Sequence, residues 1–388
     1  MIRALLLLIL LLIPAPGLTQ PDIAPFTARI LAPGIHLLAV PADYAGPAIS
    51  NVSVIEQSDG FILIDSGGTI AHGRAIVAFI RSISRKPVKA VLVTHWHNDH
   101  PLGIAAIRAT WPRVRVIATE RTRAGLLGPA MTSVGLRPDD HFDTQIWNEA
   151  WQGIAQVQGF TANPAITPEQ RRRYDRYIFN LRAFAAGFRG TFLVPPTETF
   201  TDSLLLDDAE RPVRLMFLGR ANTDGDAVAW LPRERIVMTG DIVVSPIPFG
   251  FGSYPQSWLA VLARLRALSP ALLVPGHGEP MADLAYLDRL GATIADIRAQ
   301  VGPLARQGMS VEQVRAQVDF SAQTAIFGPT PRLAAGFQSL WLTPMVENAW
   351  KEARGMEIVQ GEGELPGGPA RATSDRVRTP PRSTTRRR

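Results

Sequence analysis

The stretch THWHNDH, residues 94–100, places three histidines and an aspartate within six positions, directly after the apolar run VKAVLV. His95 and His97 lie two residues apart, and side chains two apart in an extended segment point the same way, so both can reach one ion. Asp99 and His100 follow as the chain turns into the apolar segment LGIAAIRA, where they can address a second ion. This density of imidazole and carboxylate donors indicates a metal site rather than packing.

The absence of cysteine narrows the chemistry that these residues can perform. None of the 388 residues is a cysteine, which excludes disulfides, thiolate metal ligands and a cysteine nucleophile. A site built from imidazole and carboxylate suits Zn²⁺, with iron or manganese as alternatives. We therefore predict one or two zinc ions, or another divalent metal, as the cofactor.

The segment HWHNDH resembles the His-x-His-x-Asp-His signature of the metallo-β-lactamase fold superfamily, and other segments fit that family in order and spacing. The strand end ILIDSGG matches the family's early Asp-x-Gly with Asp65, which by this resemblance braces the ligand loops. The segment IVMTGD matches the acidic residue that bridges two metals with Asp241, and LLVPGHG matches the terminal ligand with His277. The resemblance spans roughly residues 30–280, and it implies an α/β fold, the αββα four-layer sandwich, with the metals at one edge.

One segment departs from the family pattern. Where the family usually carries Gly-Arg-x-His-Thr-x-Gly-Asp, this chain reads GRANTDGD, and Asn222 stands in the histidine slot. The first site would then hold His95, His97 and an amide, which is a weak, neutral donor for Zn²⁺. The second site keeps its complete set of ligands: Asp99, His100, Asp241 and His277.

Three outcomes for the first site stay open at the level of sequence. Asn222 or a water completes a weaker site, His141 from the segment DDHFD supplies the missing ligand, or only the second site fills. In a further alternative, Asn222 only caps the turn before Thr223, as asparagine commonly does. Thr223 and Asp226 are expected to fix this loop.

Short apolar runs bounded by turn residues predict strands in two halves of the chain. The first half contains GIHLLAV, SNVSVIE, GFILIDS, VKAVLVT and VRVIAT, with the helical segment IAHGRAIVAFIRSI among them. The second half contains VRLMFLG, DAVAWLP, RIVMTGD and ALLVPGH, with the helical segment QSWLAVLARLRAL. Strands that alternate with helices in this way favour a layered α/β domain.

We predict a domain over residues 20–300 that carries a helical insertion at 129–200, followed by a helical extension at 301–354. In the insertion, Thr167 and Gln170 form a capping box ahead of an aromatic stripe at helical spacing. That stripe is interpreted as packing, with a wall of a substrate cleft as the alternative. The same two interpretations apply to Tyr254 and Trp258, whereas the lone histidines His36 and His72 are interpreted as structural.

Charge and composition do not suggest a nucleic-acid-binding face, and we expect no nucleic acid partner. The net charge is +6, but the last 28 residues hold seven arginines against three acidic residues and so carry +4 of it. The sequence before these 28 residues shows no basic stripe with interleaved aromatic residues. Residues 355–388 are rich in Gly, Pro, Ser, Thr and Arg, and we predict a disordered basic tail there.

The resemblance implies a hydrolase that cleaves an ester, lactone or amide bond in a small molecule through a metal-bound hydroxide. Asp99 would orient or deprotonate the nucleophile while it binds the second metal. Within the superfamily, GRANTDGDAVAWLP followed by VMTGD is most similar to exported hydrolases of the quinoprotein-relay type. β-Lactam hydrolysis is the second interpretation, because true β-lactamases usually lack a bridging aspartate where Asp241 stands. The third is a degenerate member that binds a ligand or partner without turnover.

The N-terminus predicts export. Residues 1–19 are interpreted as a signal peptide, since Arg3 precedes the apolar run at residues 4–13 and small residues follow at Ala15 and Gly17. We expect a periplasmic or secreted protein with no stable membrane span after cleavage. Intact-mass measurement of protein recovered from the periplasm should show a chain that lacks about the first 17 residues. A mass that includes the whole leader would contradict this prediction.

Overall fold

A computed structural model describes residues 25–128, 131, 154–155, 157–159, 161 and 164–359. The predicted signal peptide, His141 and the tail from residue 360 lie outside the described residues, as does much of the predicted insertion. Among the described residues, no helix is both long and apolar enough to cross a bilayer.

In the described part of the chain, twelve strands form two sheets. The first sheet has the order β1-β2-β3-β4-β5-β6-β7. Its strands are β1 (Thr27–Ala32), β2 (Ile35–Ala39), β3 (Val52–Glu56), β4 (Phe61–Ile64), β5 (Val88–Leu92), β6 (Arg115–Thr119) and β7 (Glu198–Phe200). Pairing is antiparallel from β1 to β4 and parallel from β4 to β7. Because β4 and β5 run parallel, the loops that follow them open at the same edge of the sheet.

The second sheet has the order β12-β11-β10-β9-β8. Its strands are β8 (Ser203–Leu206), β9 (Val213–Phe217), β10 (Ala227–Leu231), β11 (Ile236–Met238) and β12 (Leu272–Val274). Only β11 and β12 are parallel in this sheet. The loops that follow these two strands therefore also share an edge.

The period-two pattern of the strands buries both faces of the first sheet. In β4, Phe61 and Leu63 pack against the helices, whereas Ile62 and Ile64 pack against the second sheet. Ala229 and Met238 of the second sheet belong to the same cluster as Ile62 and Ile64. The two sheets therefore lie face to face around one apolar layer, as successive side chains of a strand point to opposite faces.

Helices cover the outer face of each sheet. The helices are α1 (Ile70–Ile83), α2 (Ile104–Thr110), α3 (Glu120–Leu126), α4 (Pro168–Phe188), α5 (Pro255–Ala267), α6 (Ala285–Arg306), α7 (Val311–Arg315), α8 (Ser321–Phe327), α9 (Pro331–Gly336) and α10 (Thr343–Ala353). Ile76 of α1 and Ile107 of α2 pack on the first sheet, and Val261 of α5 and Ile294 of α6 pack on the second. The four layers confirm the predicted αββα sandwich.

Helix α4 begins where the sequence predicts. Thr167 caps it and Gln170 closes the capping box. Along its stripe Leu181 and Phe188 are buried, and Phe184 packs against the core of the first sheet. The stripe therefore packs on the domain, in agreement with the packing interpretation.

The predicted C-terminal extension shares a core with the second sheet. The predicted boundary at residue 300 falls inside α6, which runs on to Arg306. Trp341 lies edge-on to Trp258 of α5 at 5.1 Å between ring centroids, and both indoles are fully buried. The same cluster includes Met345 of α10. The predicted extension therefore packs on α5 and on the core of the second sheet.

Candidate metal centre

The histidines and acidic residues predicted to bind metal lie in loops that follow strands of both sheets. The loop at 93–103 follows β5 and carries the HWHNDH segment. Asp241 lies in a short 3₁₀ turn, Gly240–Ile242, directly after β11, and His277 follows β12. Asn222 lies between β9 and β10. The sandwich brings together side chains that are more than 180 residues apart in the chain.

His95, His97 and Asp241 form the first trio. The Nε2 atom of His95 lies 2.9 Å from Nδ1 of His97 and 3.7 Å from Oδ2 of Asp241. One ligand atom from each of the three residues lies within 4.8 Å of the others. This trio can hold one metal ion.

Asp99, His100 and His277 form the second trio, which meets the same distance limit of 4.8 Å. The Nε2 atom of His277 lies 3.0 Å from Oδ2 of Asp99. Oδ1 of Asp241 lies 3.4 Å from Nε2 of His100 and 3.5 Å from Nε2 of His277. Oδ2 of Asp241 therefore lies on the side of His95, and Oδ1 lies on the side of His100 and His277. A carboxylate that bridges two ions would be placed in this way.

Four buried ligand atoms have no hydrogen-bond partner among the described residues: Asp99 Oδ2, His100 Nε2, Asp241 Oδ1 and His277 Nε2. They lie close together: Nε2 of His277 is 3.0 Å from Oδ2 of Asp99 and 3.5 Å from Oδ1 of Asp241. A buried polar atom without a partner is costly, and one cation among these four atoms would satisfy them together. Four nitrogen and oxygen donors match the ligand number and chemistry that Zn²⁺ takes in proteins. The residues therefore fit a divalent metal ion.

Both carboxylates of the centre are ionised in the absence of metal. Burial raises the pKa of Asp99, but the charges of His100 and His277 outweigh it and hold the pKa below its usual value. Burial also raises the pKa of Asp241, but the charges of His277 and His100 again hold it well below its usual value. Negative charge is therefore available to both trios.

The histidines differ in charge state. Burial and the neighbouring imidazole of His100 hold the pKa of His95 well below its usual value, so the ring is neutral and can offer one nitrogen lone pair to a metal. Burial lowers the pKa of His277, but the charges of Asp241 and Asp99 outweigh it and raise the pKa to about 10. Without metal, His277 carries a proton that a metal ion would replace.

Asp65 braces the centre, as the resemblance implies. Its Oδ2 lies 2.8 Å from Nδ1 of His100, which turns Nε2 of that ring toward the second trio. Thr94 donates to Asp65 through its backbone N–H and its hydroxyl, each at 2.9 Å. The backbone of Asp65 has φ +62°, a strained region for a residue with a side chain. A carboxylate behind a ligating histidine fixes the orientation of the ring.

The loop that carries Asn222 is held by Asp226. The Asp226 carboxylate accepts from the backbone N–H of Thr223 at 2.7 Å, from its hydroxyl at 2.9 Å and from the N–H of Ala221 at 3.2 Å. Thr223 and Asp226 therefore fix the loop, as expected. Asn222 is 1% exposed, and both polar atoms of its side chain lack a hydrogen-bond partner among the described residues. The alternative in which Asn222 only caps the turn is wrong, because its side chain makes no capping bond.

Other residues singled out in the sequence serve the fold. His72 is fully buried, and its Nδ1 accepts from the N–H of Gly68 at 3.1 Å. His36 lies on β2 with its ring against Phe79. Tyr254 and Trp258 are buried, and the Trp258 indole donates to the carbonyl of Ile242. The cleft interpretation of Trp258 is thus wrong, and its packing interpretation is confirmed.

Sequence reasoning missed several residues that shape the centre. The side chains of Ser50 and Asn51 bind backbone atoms of the two loops that carry Asp99 and His277. Phe249 lies edge-on to His277 at 5.6 Å between ring centroids. The only signal in the sequence is the polar pair SN directly before the apolar strand VSVI. Such a pair has no periodicity that predicts its partners.

Gly276 allows the His277 loop to approach Asp241. A Cβ atom at Gly276 would clash with Oδ1 of Asp241 and with the backbone of Gly240. The N–H of Gly276 also donates to the carbonyl of Gly240 at 2.9 Å. The glycine in the segment LVPGHG is therefore required by close packing of one ligand loop on the other.

Comparison with known proteins places this geometry in a family. The family model described as the metallo-beta-lactamase superfamily matches residues 45–277. A linear primary-alkylsulfatase from Pseudomonas sp. is 27% identical over 246 residues, which are 59% of this chain and 41% of that protein. A metallo-beta-lactamase type 2 from Bacteroides fragilis is 28% identical over 116 residues, 28% of this chain and 46% of that protein. This chain thus matches less than half the length of each of these two relatives.

Among solved structures, an inverting sec-alkylsulfatase from Pseudomonas sp. superimposes with a TM-score of 0.55 at 14% identity. The match covers 84% of this chain and 50% of that one, and at such identity it shows the fold alone. The family match, by contrast, covers more than half of the chain and includes every histidine and acidic residue of the two trios. The chain belongs to the metallo-beta-lactamase superfamily.

Proposed function

We propose that this protein is an exported, zinc-dependent hydrolase that cleaves an ester bond of a small molecule, with alkyl sulfate esters as the preferred class. The observation that carries the proposal is Asp241, which directs one carboxylate oxygen to each trio and so supports a centre for two ions. The sulfate class is suggested by the alkylsulfatase relative, whose match covers 59% of this chain. Lactones, carboxylic esters and amides are the other bonds that such a centre can cleave.

In the proposed centre, His95, His97 and Asp241 hold the first ion, and Asp99, His100, His277 and Asp241 hold the second. When bound, zinc supplies Lewis acidity and lowers the pKa of water to about 7. Asn222 occupies the position of the ligand that the first site lacks, and its unpartnered buried amide supports this assignment. The second site is therefore the better equipped of the two.

Asp99 is the residue proposed to act on the nucleophile. Its carboxylate is ionised, because the charges of His100 and His277 hold its pKa low. The side chain is 12% exposed, whereas that of Asp241 is 1% exposed, so Asp99 is the carboxylate that a water molecule can reach. It can accept a hydrogen bond from the attacking water and orient it. Phe249 supplies an apolar surface beside His277, which favours a substrate with an apolar group near the scissile bond.

β-Lactam hydrolysis is the second candidate, because a metallo-beta-lactamase is 28% identical over 116 residues. The bridging position of Asp241 is the feature against it. A member of the fold that binds a ligand without turnover is the third, and Asn222 is its only support. Metal content separates the third candidate from the other two, since a catalytic centre requires bound metal.

A substrate panel tests the reaction class. Zinc-loaded protein should release sulfate from dodecyl sulfate faster than it turns over a lactone, an aryl carboxylic ester or a chromogenic β-lactam, and a chelator should abolish that activity. Sulfate release is measured by ion chromatography, with the Asp99→Asn variant as the inactive control. Turnover of the β-lactam alone would support the second candidate, and protein that binds no metal and turns over none of the four compounds would support the third.

Replacement of His277 tests the second site. His277→Ala should remove one equivalent of bound zinc and abolish turnover, because a catalytic zinc site has no ligand to spare. Metal is measured by elemental analysis after gel filtration. His36→Ala, a lone histidine on β2, is the matched control and should leave both quantities unchanged. Unchanged zinc content in the His277 variant would show that the centre is misplaced.

Replacement of Asn222 tests the first site. Asn222→His should raise zinc content from about one toward about two equivalents, because imidazole is a much better donor for Zn²⁺ than an amide. The measurement is zinc titration under limiting chelator, with wild type and variant side by side. Asn222→Ala is the control and should gain no metal. Two results would contradict the assignment of Asn222 to the ligand position of the first site. One is tight binding of two zinc ions by the wild type, and the other is no increase in bound zinc in the Asn222→His variant.

A further inference from the structure

Asn51 clamps the turn that carries His277. Its Nδ2 group donates to the carbonyl of Pro275 at 3.0 Å and to the carbonyl of Gly278 at 2.9 Å. Its backbone N–H donates to the carbonyl of Gly276 at 2.7 Å. Asn51 therefore binds the chain on both sides of His277, and it is 7% exposed, so water does not compete well for these bonds.

Ser50, the preceding residue, binds the other ligand loop. Its hydroxyl donates to the carbonyl of Asp99 at 2.8 Å, and the residue is fully buried. Asp99 follows a strand of the first sheet, whereas His277 follows a strand of the second. Two consecutive residues thus tie together ligand loops that come from different sheets.

The pair is anchored to a rigid part of the fold. β3 begins at Val52, directly after Asn51, and lies between β2 and β4 in the first sheet. Val52 and Val54 are fully buried in the core. A shift of Ser50 or Asn51 would require β3 to move, so the pair fixes the two loops relative to the sheet.

We propose that Ser50 and Asn51 are positioning residues that set the separation of Asp99 and His277 for the second metal ion. The two ligand side chains meet at 3.0 Å between Oδ2 and Nε2. The backbone segments that carry them are held by the bonds from Ser50 and Asn51, which lie on one rigid strand end. This inference rests on the proposed metal centre.

The matched control is Gln57, at the opposite end of the same strand. Its Nε2 group also bridges two backbone carbonyls, those of Leu206 at 3.2 Å and Arg211 at 2.7 Å. Gln57 is 2% exposed and binds no loop that carries a proposed ligand. Asn51→Asp and Gln57→Glu each replace a doubly bound amide by a carboxylate of the same shape, so both lose the donor that bridges two carbonyls.

The experiment measures zinc affinity by competition with a chromophoric chelator, together with the unfolding temperature of each metal-free variant. Asn51→Asp should weaken the tighter zinc site roughly 10- to 100-fold, the range seen when residues behind metal ligands are removed. Gln57→Glu should lower the unfolding temperature without changing zinc affinity. Ser50→Ala, which removes a single hydroxyl, should also weaken zinc binding. This variant tests the proposal on its own if Asn51→Asp does not fold.

The outcomes separate this inference from the proposed function. If the wild type binds no zinc, the proposed metal centre is wrong and this inference falls with it. If the wild type binds zinc and the Ser50 and Asn51 variants bind it equally well, only the positioning role is overturned. Equal weakening by Gln57→Glu would likewise overturn it, because the effect would then come from general loss of stability.

Discussion

The carboxylate of Asp241 faces both trios, and the centre depends on its position. Its two oxygens point to different sets of histidines, so any shift of the turn at Gly240–Ile242 would disturb both sets at once. The turn is held by its own position after β11 and by Gly276, which packs directly on it. A single buried carboxylate can serve two ions only where such packing prevents it from turning to one of them.

Hydrogen bonds from neighbouring residues hold each member of the second trio in place. His100 is oriented by Asp65, Asp99 is held through its backbone by Ser50, and His277 is held on both sides by Asn51. In the first trio, the hydroxyl of Thr94 contacts His95 at 3.0 Å. Among the described residues, more contacts of this kind hold the second trio than the first, and such contacts fix the orientation of ligating side chains.

Asn222 is the residue at which this chain departs from the family pattern. The loop around it keeps the bonds between Thr223 and Asp226, so the departure from the family pattern lies in one side chain and not in the backbone. A buried amide without partners is costly to the fold. The buried side chain of Asn222, without a hydrogen-bond partner among the described residues, is therefore the observation on which its proposed place in the first site rests.

The sequence by itself determined the family, the order of most strands and the metal-binding residue types. HWHNDH is a local motif, and its chemistry follows from residue type and spacing within one loop. The strands that it predicted have clear alternation or short apolar runs, whereas β1, β7 and β8 were missed because they are partly exposed strands at the sheet edges. The capping box at Thr167 was predictable because it depends on two residues three apart.

Only the tertiary structure decided how these residues cooperate. It showed that Asp241 faces both trios, that Asn222 makes no capping bond and that Trp258 belongs to the core. It also revealed Asn51, whose partners lie 224 and 227 residues away. Contacts between distant residues leave no periodic pattern in the chain, because they depend on how the two sheets pack rather than on the local propensities of either segment.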